Sequence, residues 1–185
     1  MRCPPACAAL LAAFLITSCG TGERAGHPPP PTPVASASGF NGTDAAWLQL
    51  MIPMAGRALP MLDLGARRGS TPEVRELAAS LAGAHRDELD RLRELRAAAG
   101  LPDVNAHEGH DMPGMVTAAR LDALRGARGK AFDRLFLESV RAHLDQSVKV
   151  TRGERDSGAD PRALAMAADL ERTRTEQLEA LSAVE

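Results

Sequence analysis

The sequence contains no tyrosine and a single tryptophan, and aromatic residues make up only 3% of it. Platforms that stack bases or sugars are built from several aromatic rings, so neither nucleic acid nor carbohydrate is an expected ligand. Charge excludes nucleic acid as well: the formal net charge is −2, and polyanion binding needs a basic face. Lysine occurs only at Lys130 and Lys149; the other basic residues are arginine, a bias that fits a GC-rich coding sequence and carries no mechanism. All three cysteines fall within the first nineteen residues. Disulfides and cysteine-ligated zinc are therefore excluded from the rest of the chain. A phosphate-binding loop and a Gly-x-Ser-x-Gly elbow are both missing. So is the Glu-x-x-His pair of di-iron bundles, since His85-Arg86-Asp87-Glu88 runs in the reverse order. No thiol remains for nucleophilic work, and the chain is expected to be non-catalytic.

What is present begins with an address. Met1-Arg2 gives a positive start, and Ala8 to Ile16 is an apolar run too short to span a bilayer but right for the core of a signal peptide. It ends in Leu15-Ile16-Thr17-Ser18-Cys19, which resembles a bacterial lipobox. That resemblance implies removal of residues 1–18, lipidation of Cys19 and a membrane anchor on the extracytoplasmic face, at the cell surface or in the periplasm; the alternative is an ordinary signal peptide with a chance cysteine. Two acyl chains hold a protein on a membrane where one is marginal. Residues 19–43, with prolines at 28–31 and 33 and many small residues, read as a disordered tether.

Residues 44–185 read as an all-α domain. Apolar residues at helical spacing predict a first helix over Asp44–Arg67, capped by Thr43 or Asp44, with a kink or break expected at Pro53 and Pro60. Thr71 and Pro72 open a second helix, which Gly100 and Pro102 stop near Ala99. A hinge over Leu101–Val116 and a short helix over Thr117–Leu124 follow. Two more helices are expected over Lys130–Arg152 and from Asp160-Pro161 to Val184. Short connections make sequential neighbours antiparallel, which predicts a four-helix bundle of two hairpins.

The two halves match. Trp47 to Ala55 corresponds to Phe136 to Leu144, and Leu81-x3-His85-x2-Glu88-Leu89 corresponds to Leu170-x3-Arg174-x2-Gln177-Leu178. With the hinge Gly109-His110-Asp111-Met112-Pro113-Gly114-Met115 and the run Gly129-x-x-Phe132-Asp133-x-x-Phe136-Leu137, the chain resembles the secreted bacterial DUF305 family. The resemblance covers about residues 44–185 and implies a ferritin-like bundle and a role in metal binding or resistance, since the family includes periplasmic copper-binding proteins. The family's repeated His-His pairs stand here as Met54-Ala55 and His143-Leu144. Its two Gln-x-x-Glu segments stand as His85-x-x-Glu88 and Arg174-x-x-Gln177.

Three groups of residues are candidate sites. His107, His110, Met112 and Met115 crowd soft ligands into the hinge, a donor set suited to Cu(I) or Ag(I); equally, the methionines pack the hinge onto the bundle. Met51, Met54 and Met61 form a thioether stripe that is otherwise core filler. His85, Glu88, His143, Arg174 and Gln177 are expected to point inward, as a residual divalent site of His85, His143 and Glu88 or with Arg174 replacing a lost cation and pairing with Glu88; the remaining reading is of exposed groups at a bundle end. Two functions stay open: a lipid-anchored bundle binding copper or silver, and a structural or interaction module whose metal site has been lost.

Overall fold

The computed structural model describes residues 39–105, 107–109 and 111–185. The expectations for the leader, for Cys19, for the tether as far as residue 38 and for His110 lie outside the described residues. Five helices follow one another: α1 (Gly42–Arg68), α2 (Pro72–Ala98), α3 (Ala118–Gly126), α4 (Gly129–Ser157) and α5 (Pro161–Ser182).

The helix starts follow from local chemistry. Asn41, rather than Thr43 or Asp44, caps α1. Its side-chain oxygen accepts from the N–H groups of Thr43 (2.7 Å) and Asp44 (3.0 Å), and the Asp44 carboxylate accepts in return from the Asn41 N–H. This reciprocal box satisfies donors that a helix end leaves orphaned. Thr71 caps α2 and Asp160 caps α5, each followed by proline at the first helical position, where its missing N–H costs nothing.

Two boundaries differ from expectation. First, α1 continues through Pro53 and Pro60. Each proline releases the carbonyl four residues earlier, on Gln49 and Gly56 respectively, and both of those residues line a surface cleft with Pro53 and Arg57 where water has access. Second, α4 runs past Arg152 and Gly153 to Ser157. The inward stripe goes on through Thr151 and Glu154, both buried, and outweighs the modest helix penalty of one glycine.

Within each hairpin the helices are antiparallel, α1 against α2 and α4 against α5. The hairpins join through α1 and α4. The start of α1 lies at the end of α4, where the Asn41 side chain donates to the Ser157 carbonyl at 2.8 Å. The end of α1 lies at the start of α4, where Arg68 donates to the carbonyls of Arg125 and Ala127, both at 3.0 Å. Hence α1 and α4 run in opposite directions, and α2 and α4 run the same way. The segment between them is a crossover along a bundle about 40 Å long, the topology of ferritin-like folds. One close approach depends on a missing side chain: a Cβ on Gly65 of α1 would fall 2.4 Å from the Phe136 ring and 2.9 Å from Ala78.

The core is in two parts. One apolar cluster gathers Leu62, Ala78, Leu81, Phe132, Phe136, Val140 and their neighbours; the other gathers Trp47, Leu48, Met51, Met54, Leu92, Met115, Met166 and Leu170. Along α2, α4 and α5 the changeover falls where His85 and Glu88, His143 and Ser147, and Arg174 and Gln177 stand. All six are buried, so a polar layer separates the two clusters.

A second buried polar group closes the end where α1 and α5 begin. Asp44 accepts from the backbone N–H groups of Ala159 (3.1 Å) and Asp160 (3.2 Å). Burial opposes its ionisation, but hydrogen bonds from Asn41, Glu154, Ala159 and Asp160 outweigh this and hold its carboxyl below the usual range. Neighbouring Glu154 is raised to about 8, first by burial, then by its hydrogen bond to Asp44 and by the charges of Asp44 and Asp160. At neutral pH Glu154 is therefore the protonated one of the two carboxyls. A carboxyl whose folded pKa is raised stabilises the fold fully below its unfolded value near 4.5, and that stability is lost as pH rises through about 8. Glu154→Gln keeps a donor that cannot ionise. Thermal melts should show the variant gaining on the parent between pH 5 and pH 9, by on the order of 5 °C; parallel melting curves across that range would disprove the proton on Glu154.

Candidate functional site

The polar layer brings together residues from three helices. His85 on α2 and His143 on α4 face each other with Nε2 atoms 3.0 Å apart and ring centroids 5.1 Å apart. Their exposures are 0% and 2%. The other nitrogen of each ring meets a carbonyl. His85 Nδ1 lies 2.8 Å from the Leu81 oxygen one turn back on α2, and His143 Nδ1 lies 3.1 Å from the Gly114 oxygen of the crossover.

Gly114 reaches that place because it is glycine. Its φ is +75°, and a Cβ there would fall 2.3 Å from Gln146 Cβ and 3.0 Å from the Ala142 carbonyl. Only a bare backbone approaches α4 so closely.

Counting hydrogens shows what the pair lacks. Three contacts in this chain of atoms each need one hydrogen: carbonyl to Nδ1, Nε2 to Nε2, and Nδ1 to carbonyl. Two neutral imidazoles supply two. Whichever tautomers are chosen, one contact is short, and with both Nδ1 atoms donating to carbonyls it is the central one, where two lone pairs point at each other. A third proton is opposed by the surroundings. Burial first, then Arg174, holds His85 well below its ordinary value, with His143 adding to the effect. The same two leading causes bring His143 to about 4. Two neutral rings thus offer soft nitrogen lone pairs to one point.

Arg174 lies one turn further along. Its Nε donates to Ser147 Oγ at 3.0 Å, its Nη1 to Gln177 Oε1 at 2.9 Å and its Nη2 to Glu88 Oε2. Ser147 follows His143 by four residues and Glu88 follows His85 by three, so the guanidinium spans the same two helices as the imidazole pair. Both charged side chains are almost wholly buried. Glu88 Oε1 has no hydrogen-bond partner.

The other candidates are placed differently. In the crossover, Met115 is buried in the second apolar cluster and half-buried Met112 packs against it. Arg57 Nη1 touches the Met115 sulfur at 3.5 Å, and Arg57 Nη2 donates to the His107 carbonyl at 3.5 Å. Both hinge thioethers are thus engaged in packing among the described residues. Met51, Met54 and Met61 are core side chains, Met54 standing next to the polar layer on α1. Among the described residues no three histidine, cysteine or acidic side chains converge as a metal cluster. The three-ligand divalent arrangement of His85, Glu88 and His143 is not formed, because Glu88 turns to Arg174.

Sequence spacing flagged His85, Glu88, His143 and Arg174, but not the Leu81 and Gly114 carbonyls, since backbone partners leave no mark in residue type. It read Asp44 and Asp160 only as helix starts and missed the buried group they form with Glu154. Continuing the α4 stripe past Gly153 reaches Glu154 and would have found it.

A model of the family described as domain of unknown function (DUF305) matches residues 44–185. The chain belongs to the DUF305 family. No curated protein matches it. Among solved structures, a DUF305 protein of Streptomyces coelicolor described as a putative secreted protein is 20% identical, with a TM-score of 0.69 over 77% of this chain and 91% of the other. A DUF305 fragment from Deinococcus radiodurans is 19% identical, with a TM-score of 0.69 over 78% and 96%. CopM in its Cu(I)-bound form is 19% identical, with a TM-score of 0.64 over 77% and 94%; CopM has also been solved with Cu(II) and with silver. These likenesses establish the DUF305 bundle for this chain, as the repeat predicted.

The imidazole pair presents two buried nitrogens to one point. The ion pair beside it makes a separate claim on stability. Removing one partner of a buried pair leaves the other charge uncompensated, while replacing both together is far less harmful. Urea unfolding should show Arg174→Met losing about 3–5 kcal/mol and Glu88→Met combined with Arg174→Met losing less than the single change. A double variant weaker than Arg174→Met would show that the pair does not act as a unit.

Proposed function

We propose that this DUF305 protein holds a copper or silver ion on the extracytoplasmic face of the membrane, anchored through Cys19, without catalysing a reaction. His85 and His143 are the residues that would hold the ion, each through Nε2. The observation that carries this reading is the hydrogen count: the two rings and their carbonyl partners are one cation short at the point where the lone pairs meet. Depressed basicity keeps protons from competing for those nitrogens at neutral pH. CopM, a protein of the same fold, has been solved with Cu(I), Cu(II) and silver, and imidazole is a ligand suited to copper. The lipobox at Cys19 supports the anchor, and no helix among the described residues is long and apolar enough to cross a membrane. Bound in this way, the ion is sequestered from water inside the bundle and positioned by two helices and the crossover.

The test is a silver or Cu(I) titration of the purified protein and of His85→Gln and His143→Gln. One ion per chain should bind to the parent and be lost in each variant, while Met112→Ala combined with Met115→Ala keeps it. No binding to the parent, or binding unchanged in both histidine variants, would overturn the assignment and favour a structural or interaction module.

A further inference from the structure

We propose that the crossover turn over residues 112–117 is the door of the imidazole pair, and that His143 carries the ion through it while His85 stays in place. The proposal rests on the metal-binding reading above and adds the route by which the ion enters and leaves.

The pair is sealed. Its rings are 0% and 2% exposed, so an ion reaches the Nε2 atoms only if something moves. The seams of α5 with α2 and α4 are bolted at this level, because Arg174 is held by Glu88, Ser147 and Gln177. At the surface Arg91 of α2 also bonds Asp169 of α5 at 2.9 Å. Between α1 and α2 the packing is close: a Cβ on Gly56 would touch Leu89 at 4.0 Å. The crossover covers the remaining seam, with Met115 against Arg57 of α1 and Gly114 against Ala142 and Gln146 of α4.

The two rings are held in different ways. His85 Nδ1 meets the Leu81 carbonyl of its own helix, a partner that moves only with α2. His143 Nδ1 meets the Gly114 carbonyl, which belongs to no helix. When the turn lifts, His143 loses its outer partner and its ring can rotate about its side-chain bonds. His85 keeps its partner throughout.

The turn itself is lightly pinned. Met115 is buried in one apolar cluster and Val116 in the other, so the turn straddles the polar layer on two side chains. Its backbone bond from the Met115 N–H to the Met112 carbonyl, at 3.0 Å, is internal. Clefts undercut it on both sides. One of about 240 Å³ lies against Ser139 and Ala142 of α4, and one of about 360 Å³ lies against Arg57 and Pro60 of α1. A segment that rests on few buried side chains, without a ladder to its neighbours, opens at low local cost. With the turn lifted, His143 swings outward, takes a soft cation on Nε2 and returns to face His85. Release reverses these steps, so the ion leaves no faster than the turn opens.

Two readouts test the door. The first needs no metal. In imidazole ¹H–¹⁵N spectra of the parent, the His143 Nδ1–H should exchange with solvent on the order of 10-fold faster than that of His85. Gly114→Ala, whose Cβ cannot fit against Gln146, should speed His143 on the order of a further 10-fold and leave His85 unchanged. The second mixes Ag(I)-loaded protein with increasing glutathione, with the combined His85→Gln and His143→Gln variant as the blank for silver bound elsewhere. Release from the parent should reach a ceiling independent of thiol concentration, and Gly114→Ala should raise that ceiling on the order of 10-fold. Should Gly114→Ala fail to fold, Met112→Ala combined with Met115→Ala loosens the same turn and should raise the ceiling in the same direction. His143 exchanging no faster than His85, release that climbs with thiol without limit, or a ceiling unchanged in the variants would each overturn the proposal while leaving the copper or silver reading intact. A parent that binds no silver at the pair would bring down that reading, and the door with it.

Discussion

A guanidinium with no solvent contact must be answered by protein atoms alone, and Arg174 finds its answers on three helices. Glu88 comes from α2, Ser147 from α4 and Gln177 from its own α5. Apolar packing tolerates small axial slips; a buried ion pair with further fixed hydrogen bonds does not, because any slip strands a charge. The contact therefore locks the axial register of α2, α4 and α5 at one level. The two apolar clusters then fill the space to either side, one around the Phe132 and Phe136 rings and one around Trp47 and the methionines.

The imidazole pair inherits its geometry from that lock. With α2 and α4 parallel and in register, residues one turn before Glu88 and Ser147 must face each other, and these are His85 and His143. The crossover completes the arrangement. A connection running the length of the bundle passes His143 closely only where it has no side chain, at Gly114, whose carbonyl then takes up the ring's outer nitrogen. Arg174 thus sets through packing where the rings stand, and it adds to the burial that keeps them neutral.

Much of this was legible in the residues. Spacing placed four inward stripes, and polar side chains at 85, 88, 143 and 174 interrupted them, marking a buried polar layer before any coordinates. The internal match between Leu81–Leu89 and Leu170–Leu178 pointed to two hairpins. What stayed hidden was context. Proline at 53 and 60 reads as a break, yet the carbonyls it frees belong to residues lining a cleft, and α1 goes on. Gly153 reads as a stop, yet burial of Glu154 a residue later carries α4 further. The parallel course of α2 and α4 depends on how far the crossover travels, which residue type does not encode. The packing of Met112 and Met115 onto apolar surface beneath the crossover is likewise context that residue type does not carry.

Identity near 20% establishes the bundle and nothing finer, so the site has to be argued from its own atoms. Against the family pattern that the sequence resembles, position 85 exchanges an amide for an imidazole and position 174 exchanges an amide for a guanidinium. Taken singly, each change is awkward. An added imidazole opposite His143 leaves a contact one hydrogen short, and an added guanidinium in the core requires a carboxylate of its own. Taken together they are consistent: Glu88 pairs with the arginine, and the two imidazoles face each other one turn away. Each departure is thus answered by another within the same buried layer, and the substitutions at 85 and 174 are read together.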